Sequence, residues 1–301
     1  MTITTDLDQL LEAFADPHAT DLVINGPEDV QVFTLGGWQA KQPRLTTGNR
    51  LDELAVVMVS LANRHLDLAN PMVDVTLGAA ECPKLADLGV ERLRVHAVLG
   101  GTVSPHTLVS LRAHRIRSAQ SLASAVTGFE NGGGFLGRLR QVAESGESFL
   151  ISGPPGSGKT TLLRAMLSVQ PTLRTVVIED TAELLPINGH FVGLQARQAN
   201  TEQRGELGLD RLLRESLRMN PERIVVGEVR GAEAKILLEA IGLAGIGGAG
   251  TIHATAASQV GRRLELLSGQ PGALNQFQWQ VHLRRTNTGR AIDSIRSVAH
   301  E

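Results

Sequence analysis

At 301 residues, 42% of them hydrophobic and 20% charged, the chain can bury more than one core and is far from disordered or collagen-like composition. A formal net charge of -2 gives no global drive toward nucleic acid or an anionic membrane, and the single Cys82 excludes an internal disulfide framework.

The N-terminal run MTITTDLDQLLEAFADPH carries early acids and no basic region ahead of an apolar core, so no secretory signal is expected. In DLVINGPEDVQVFTLGGW, two apolar runs flank Asn-Gly-Pro-Glu-Asp and read as a hairpin. Leu51, Leu54, Met58, Leu61 and Leu66 then recur at helical spacing. PMVDVTL, RLRVHAVL and TLVSLRA read as strands, which makes residues 1–115 a smaller α+β domain. Residues 116–134, ending in ENGGG, read as a linker, and 135–301 as the main domain.

The main domain alternates strand and helix. The apolar strands ESFLISG, RTVVIED, RIVVGEV and GTIHA are separated by helical stretches, so the expected class is α/β, with a mainly parallel sheet covered on both faces. LDRLLRESLRM puts Leu209, Leu212, Leu213 and Leu217 on one helix face and Arg211, Arg214 and Arg218 elsewhere. FQWQVHLRRT and RAIDSIRSV, joined by Thr-Asn-Thr-Gly, form a terminal hairpin. The most apolar long stretch, 236–257, contains Glu239 and is too short in uncharged residues for a membrane span, so no direct membrane insertion is expected.

GPPGSGKT, Gly153 to Thr160, meets the full P-loop pattern between a strand and a helix. Gly153, Gly156 and Gly158 let the backbone curl so that N–H groups, Ser157 among them, point at phosphate oxygens. Lys159 is expected at the β- and γ-phosphates, the Thr160 hydroxyl on magnesium and Thr161 at the α-phosphate. Glu179 and Asp180, Glu228 and His253 end three later strands, and in an open parallel sheet such ends gather around the ligand. Each also has a structural reading: acids at strand ends cap the next segment, and a lone histidine is often part of the frame. In IVVGEVRG, Gly227 is expected to keep bulk away from the phosphate loop.

In this order the P-loop, VVIEDTAEL, LRMNPERIVVGEVRG and GTIHA resemble the type II/type IV secretion ATPases over about residues 15–285, and within them the CpaF/TadA branch of tight-adherence (Flp) pilus assembly. The resemblance implies a RecA-like ATPase domain after a separate N-terminal domain, a homo-oligomeric ring of six, and ATP with Mg2+ as cofactors. It implies that Glu179, supported by Asp180, polarises the attacking water. It also puts Glu228 in the magnesium shell and His253 at the γ-phosphate. Arg94 and Arg112 become finger candidates, with Arg92, Arg115 and Arg117 competing, and Arg230 is expected to pair with an acid. The implied activity is ATP hydrolysis driving a pilus or secretion machine from the cytoplasmic face of the inner membrane, through platform proteins. Three segments depart from the pattern: VDVTL with Thr76, GAAECPKLADLG, and the loop GIGGAG before the histidine. They keep open a weakly hydrolysing nucleotide-dependent switch or scaffold. A nucleic-acid translocase is disfavoured by the near-neutral charge.

Overall fold

A computed structural model describes residues 3–34, 36–41, 48–101, 103–115, 121–184, 187–197 and 205–298. The chain divides into two compact units, with the boundary at Arg117/Ser118.

In the first unit, helix α1 (Ile3–Leu11) precedes the hairpin of β1 (Asp21–Ile24) and β2 (Val30–Thr34), to which β3 (Gly37–Lys41) adds a third strand. After α2 (Gly48–Leu61) come β4 (Met72–Gly78), the short α3 (Lys84–Asp87), β5 (Arg92–Val98) and β6 (Leu108–His114). The six strands form an antiparallel sheet in the order β3-β2-β1-β6-β5-β4. Strict alternation sends Val73, Val75, Leu77, Leu93, Val95, Val109 and Leu111 into a core shared with Leu51, Leu54 and Met58 of α2. Asp74, Arg94, His96, Ser110 and Arg112 lie on the opposite face. The helix expected through Leu66 stops earlier: Asn63 takes a left-handed conformation (φ 54°), and Leu66 is buried from the loop instead.

The second unit begins with α4 (Leu122–Val126) and α5 (Gly132–Glu144), so residues 121–134 are not a linker. Leu122, Val126 and Phe129 are core residues, and Gly132 lies so close to the Val126 carbonyl that any Cβ would overlap it. ENGGG is thus a tight helix–helix junction. The expected linker's remainder, 116–120, lies outside the described residues.

β7 (Phe149–Gly153), α6 (Lys159–Leu167), β8 (Thr175–Glu179), β9 (Phe191–Gln195), α7 (Leu209–Ser216), β10 (Arg223–Val226), α8 (Glu233–Ala244), β11 (Gly247–His253), α9 (Val260–Ser268), β12 (Trp279–Arg285) and β13 (Arg290–Ser297) complete the unit. Its sheet runs β13-β12-β7-β11-β10-β8-β9, parallel throughout except for the terminal β12–β13 hairpin. Successive strand residues serve opposite cores. Phe149, Ile151, Val177 and Val225 pack with α4, α5 and α6, while Leu150, Val176, Ile178, Ile224 and Val226 pack with α7, α8 and α9. Burial on both faces explains why these strands read as continuous apolar runs.

Two local expectations fail for packing reasons. α7 ends at Ser216 and tightens into a 3-10 turn, which rotates Leu217 off the buried face to 36% exposure. The segment GIGGAG is strand from Gly247 onward: a side chain at Gly248 would collide with Ile241 of α8, so glycine there is a packing requirement.

Candidate functional site

The C-terminal ends of β7, β8, β10 and β11 bring the P-loop, Glu179, Gly227 and His253 to one edge of the sheet. The P-loop leaves β7 at Gly153 and enters α6 at Lys159. Gly156 and Gly158 adopt φ of 71° and 92°, left-handed values that a side chain resists. Gly158 thereby starts α6 with its N–H groups toward the loop. The hydroxyl of Ser157 is buried inside the turn without a partner among the described residues, and its N–H bonds the Pro154 carbonyl at 3.3 Å. Ser157 therefore closes the loop through its backbone N–H. Thr160 and Thr161 sit half-buried in the first turn of α6. Behind the loop, buried His282 meets the Ser152 hydroxyl at 2.8 Å and fastens β12 to the strand that carries the P-loop.

Lys159 is 7% exposed. Its Nζ donates to the carbonyls of Gly153 and Pro154 and to His253 Nδ1, each at 3.1 Å. On the far side of the ring, His253 Nε2 is 2.5 Å from Glu228 Oε1. An ammonium donating to Nδ1 fixes the neutral tautomer whose Nε2–H donates to the carboxylate. Burial lowers the Lys159 pKa to about 8, against the opposing charges of Glu228 and Glu183. Burial, and then Lys159, likewise hold His253 below the ordinary imidazole range against the pull of Glu228.

Glu179, the expected water-polarising acid, ends β8 in contact with backbone. It is 5% exposed, and its Oε1 accepts the backbone N–H groups of Glu183 (3.1 Å) and Leu184 (3.0 Å). The carboxylate thus holds the turn that follows β8. Gly227 makes room for it: a Cβ there would stand 2.9 Å from Glu179 Cγ. The glycine of GEVRG clears Glu179, not the phosphate loop. Glu183, by contrast, is exposed, with its charge acting on Lys159. It is an acid that the motif reading passed over, four positions after Glu179 in VVIEDTAEL.

Asp180 forms an ion pair with Arg230, the pairing expected of that arginine. Glu233, which the sequence did not single out, is 5% exposed and accepts the N–H groups of Arg230 (2.6 Å) and Gly231 (2.8 Å), pinning the turn between Glu228 and α8.

The finger candidates belong to the first unit. Arg94 pairs with Asp74 (2.9 Å) and Arg112 with Asp21 (2.7 Å), on neighbouring strands of the exposed sheet face. Arg115 holds the carbonyls of Phe14, Pro17 and Ala19, a loop-fastening task; Arg117 lies outside the described residues.

These residues fit a nucleoside triphosphate with its metal. The turn supplies left-handed glycines and a helix N-terminus, and Lys159 is buried on carbonyls that phosphate oxygens can replace as partners. Among the described residues no three His, Cys, Asp or Glu side chains are grouped so that they could hold a metal ion. No helix among them is long and apolar enough to cross a membrane.

Comparison with known proteins yields a consistent set. Residues 88–283 match the family model described as Type II/IV secretion system protein. A putative conjugal transfer protein of Mycobacterium tuberculosis is 37% identical over 297 residues, covering 94% of this chain and 81% of its own. Among solved structures, the ATPase DotB of Legionella pneumophila superposes with TM-score 0.69 at 18% identity, over 98% of this chain and 81% of that one. The pilus retraction motor PilT with bound ADP gives 0.67 at 20% identity, over 97% and 81%. The second unit's P-loop and mostly parallel sheet are accordingly RecA-like in fold, with an antiparallel sheet in the N-terminal unit.

Proposed function

The chain belongs to the type II/IV secretion system protein family, and from that premise we propose that it is a Mg2+-dependent ATPase acting as the motor of a secretion or pilus-assembly machine. The observation that carries the reading is the line Lys159–His253–Glu228 at the mouth of the P-loop. It ties the phosphate-binding lysine to groups at the ends of two other strands. A ligand that draws Lys159 away leaves His253 Nδ1 as an open acceptor.

In this reading Lys159 leaves the carbonyls of Gly153 and Pro154 for the β- and γ-phosphates. The Thr160 hydroxyl and Glu228 would hold the magnesium ion, which would supply charge neutralisation at those phosphates. Glu183 orients the attacking water and takes its proton. Glu179 keeps the turn bearing Glu183 in place through its two backbone contacts. Thr161 and the loop's N–H groups complete the phosphate cradle. The ring of six, the CpaF/TadA assignment, work at the cytoplasmic membrane face and coupling to platform proteins remain parts of the same proposal, supported by the family and by the motif order.

Full-length protein with Mg-ATP should release inorganic phosphate, and Lys159→Ala should abolish release. Turnover that survives this substitution sinks the reading, as does a wild-type protein that binds no nucleotide. Mass measurement with and without nucleotide tests the ring: a particle of about six chains is expected with ATP bound.

A further inference from the structure

Strand β12 carries two buried polar side chains that the proposed chemistry does not use. Trp279, Val281 and Leu283 alternate into the core shared with α4, α5 and α6. Gln280 and His282, 1% and 2% exposed, point to the other face, where the central strands bury Leu150, Ile178 and Val226 against α7, α8 and α9. Register puts Gln280 beside Leu150 and His282 beside Ser152. A polar group in such a place is costly unless it is bonded, and both are. His282 Nδ1 meets the Ser152 hydroxyl at 2.8 Å, and its ring also hydrogen-bonds the backbone of Thr255. Gln280 Nε2 donates to the Ala257 carbonyl at 2.9 Å, while its Oε1 accepts from Arg296 Nε at 2.7 Å. Arg296 Nη2 reaches the same Ala257 carbonyl at 3.4 Å. The terminal hairpin thus holds, from one side, both the residue before the P-loop and the segment 255–257 that leaves β11 just after His253.

We propose that His282 is a positioning residue for His253, setting the place of that ring relative to the P-loop from two strands away. The inference rests on the nucleotide-binding reading above. Without nucleotide, Lys159 holds His253 directly: its Nζ donates to His253 Nδ1 and to the Gly153 carbonyl, each at 3.1 Å. A triphosphate that draws Lys159 away removes that tie. The tie through His282 does not involve Lys159 and persists. Ser152 is joined to Gly153 by one peptide bond, and Thr255 to His253 through Ala254, whose N–H bonds the Gly153 carbonyl at 3.4 Å. Ring and loop then keep their spacing when phosphates occupy the site, where a misplacement of about 1 Å can cost about 10²-fold in rate. A rigid ring with polar atoms on two sides bridges two segments in a way that an apolar residue of the same size cannot. Gln280 and Arg296 steady Ala257, two residues farther along the chain from His253, and so contribute less.

The test uses full-length protein, Mg-ATP turnover and calorimetric titration with ADP. His282→Asn keeps a polar group near the Ser152 hydroxyl and is too short to reach Thr255. It should keep the wild-type affinity for ADP, which also certifies its fold, and lower kcat by at least about tenfold with KM changed by less than about twofold. In a His253→Ala background the same substitution should cost no more than about twofold, because it acts through a ring that is gone. The tie is also read without turnover. The His253 ring signal in an NMR spectrum, identified by its loss in His253→Ala, should shift in His282→Asn, and shift more with the non-hydrolysable ATP analogue AMP-PNP bound than without nucleotide. Ser152→Ala removes one hydroxyl from the other end of the tie and should move the same signal; where His282→Asn does not fold, it carries the test alone. Wild-type turnover in folded His282→Asn, full multiplication of the two losses in the double variant, or a His253 signal that neither substitution moves overturns the proposal. A wild-type protein that hydrolyses no ATP, yet shows the shift in its AMP-PNP complex, would break the proposed motor function and leave the positioning role standing.

Discussion

The two sheets place their polar groups by opposite rules. In the antiparallel sheet, charged side chains stand at mid-strand on an exposed face, and each finger candidate is matched to an aspartate on the adjacent strand: Arg94 to Asp74, Arg112 to Asp21. In the central strands of the second sheet, both faces are buried and polar groups collect where the strands end. There Lys159, His253 and Glu228 form one line, and Glu179 turns inward to the backbone. An exposed face can carry charge anywhere along its strands, with water to screen it. A sheet buried on both faces can present charge only at its ends, and loop N–H groups that are not bound in a ladder are available there too. The second arrangement gathers polar groups at one edge, as the proposed nucleotide site requires, and the first spreads them over a charged surface.

The contrast breaks most readily at the acids after β8. Glu183→Gln should lower kcat by about 10²–10⁴-fold with nucleotide affinity retained, as expected for loss of a base. Glu179→Gln should act through the fold. It trades a buried carboxylate for an amide oxygen that still accepts the N–H groups of Glu183 and Leu184, at a cost of about 1–3 kcal/mol in a urea melt. Retained stability with abolished turnover in Glu179→Gln, alongside an active Glu183→Gln, would return the base to Glu179. Gly227→Ala comes next. Its methyl group meets Glu179 Cγ at 2.9 Å, and the crowding should destabilise by about 1–3 kcal/mol and misplace the same turn.

A third test uses pH. The folded pKa of Lys159, about 8, lies below that of an unfolded lysine, so its burial destabilises the nucleotide-free protein fully below pH 8. That penalty fades as pH rises from about 8 toward 10.5, and stability from this group increases across the window. Phosphate favours the ammonium, so nucleotide binding above pH 8 takes up a proton. Calorimetry at pH 8.5 in two buffers of different ionisation enthalpy should show that uptake, and Lys159→Met should remove it.

The sheet edge is legible in the sequence because its signals are local: a P-loop between strand and helix, and apolar runs ending in Glu-Asp, Gly-Glu and His. Contacts made through space are not. Spacing alone does not reveal which carboxylate of EDTAE bends back to the backbone, since that depends on Gly227 from another strand lying against Glu179. ENGGG has the composition of a linker, and only the position of Gly132 against Val126 makes it a helix junction. Leu217 fits the helical period, yet α7 tightens one residue too soon to bury it.

The smallest expected effect concerns the first sheet. Asp74→Asn and Asp21→Asn remove the partners of Arg94 and Arg112, side chains 44% and 63% exposed, so each should change stability by no more than about 1 kcal/mol. Their effect on turnover is more informative than their effect on stability. If either arginine compensates phosphate charge, its aspartate competes with the nucleotide, and removing that aspartate should raise turnover or tighten AMP-PNP, while Arg94→Ala or Arg112→Ala should lower both. If the arginines serve only the sheet, all four variants should hydrolyse ATP like the wild type. Asp74 also meets His96 Nδ1 at 3.1 Å, so Asp74→Asn disturbs two partners and Asp21→Asn is the cleaner comparison. A several-fold rise in kcat for Asp21→Asn would put a first-unit arginine at the phosphates and break the rule that this sheet builds only a charged surface.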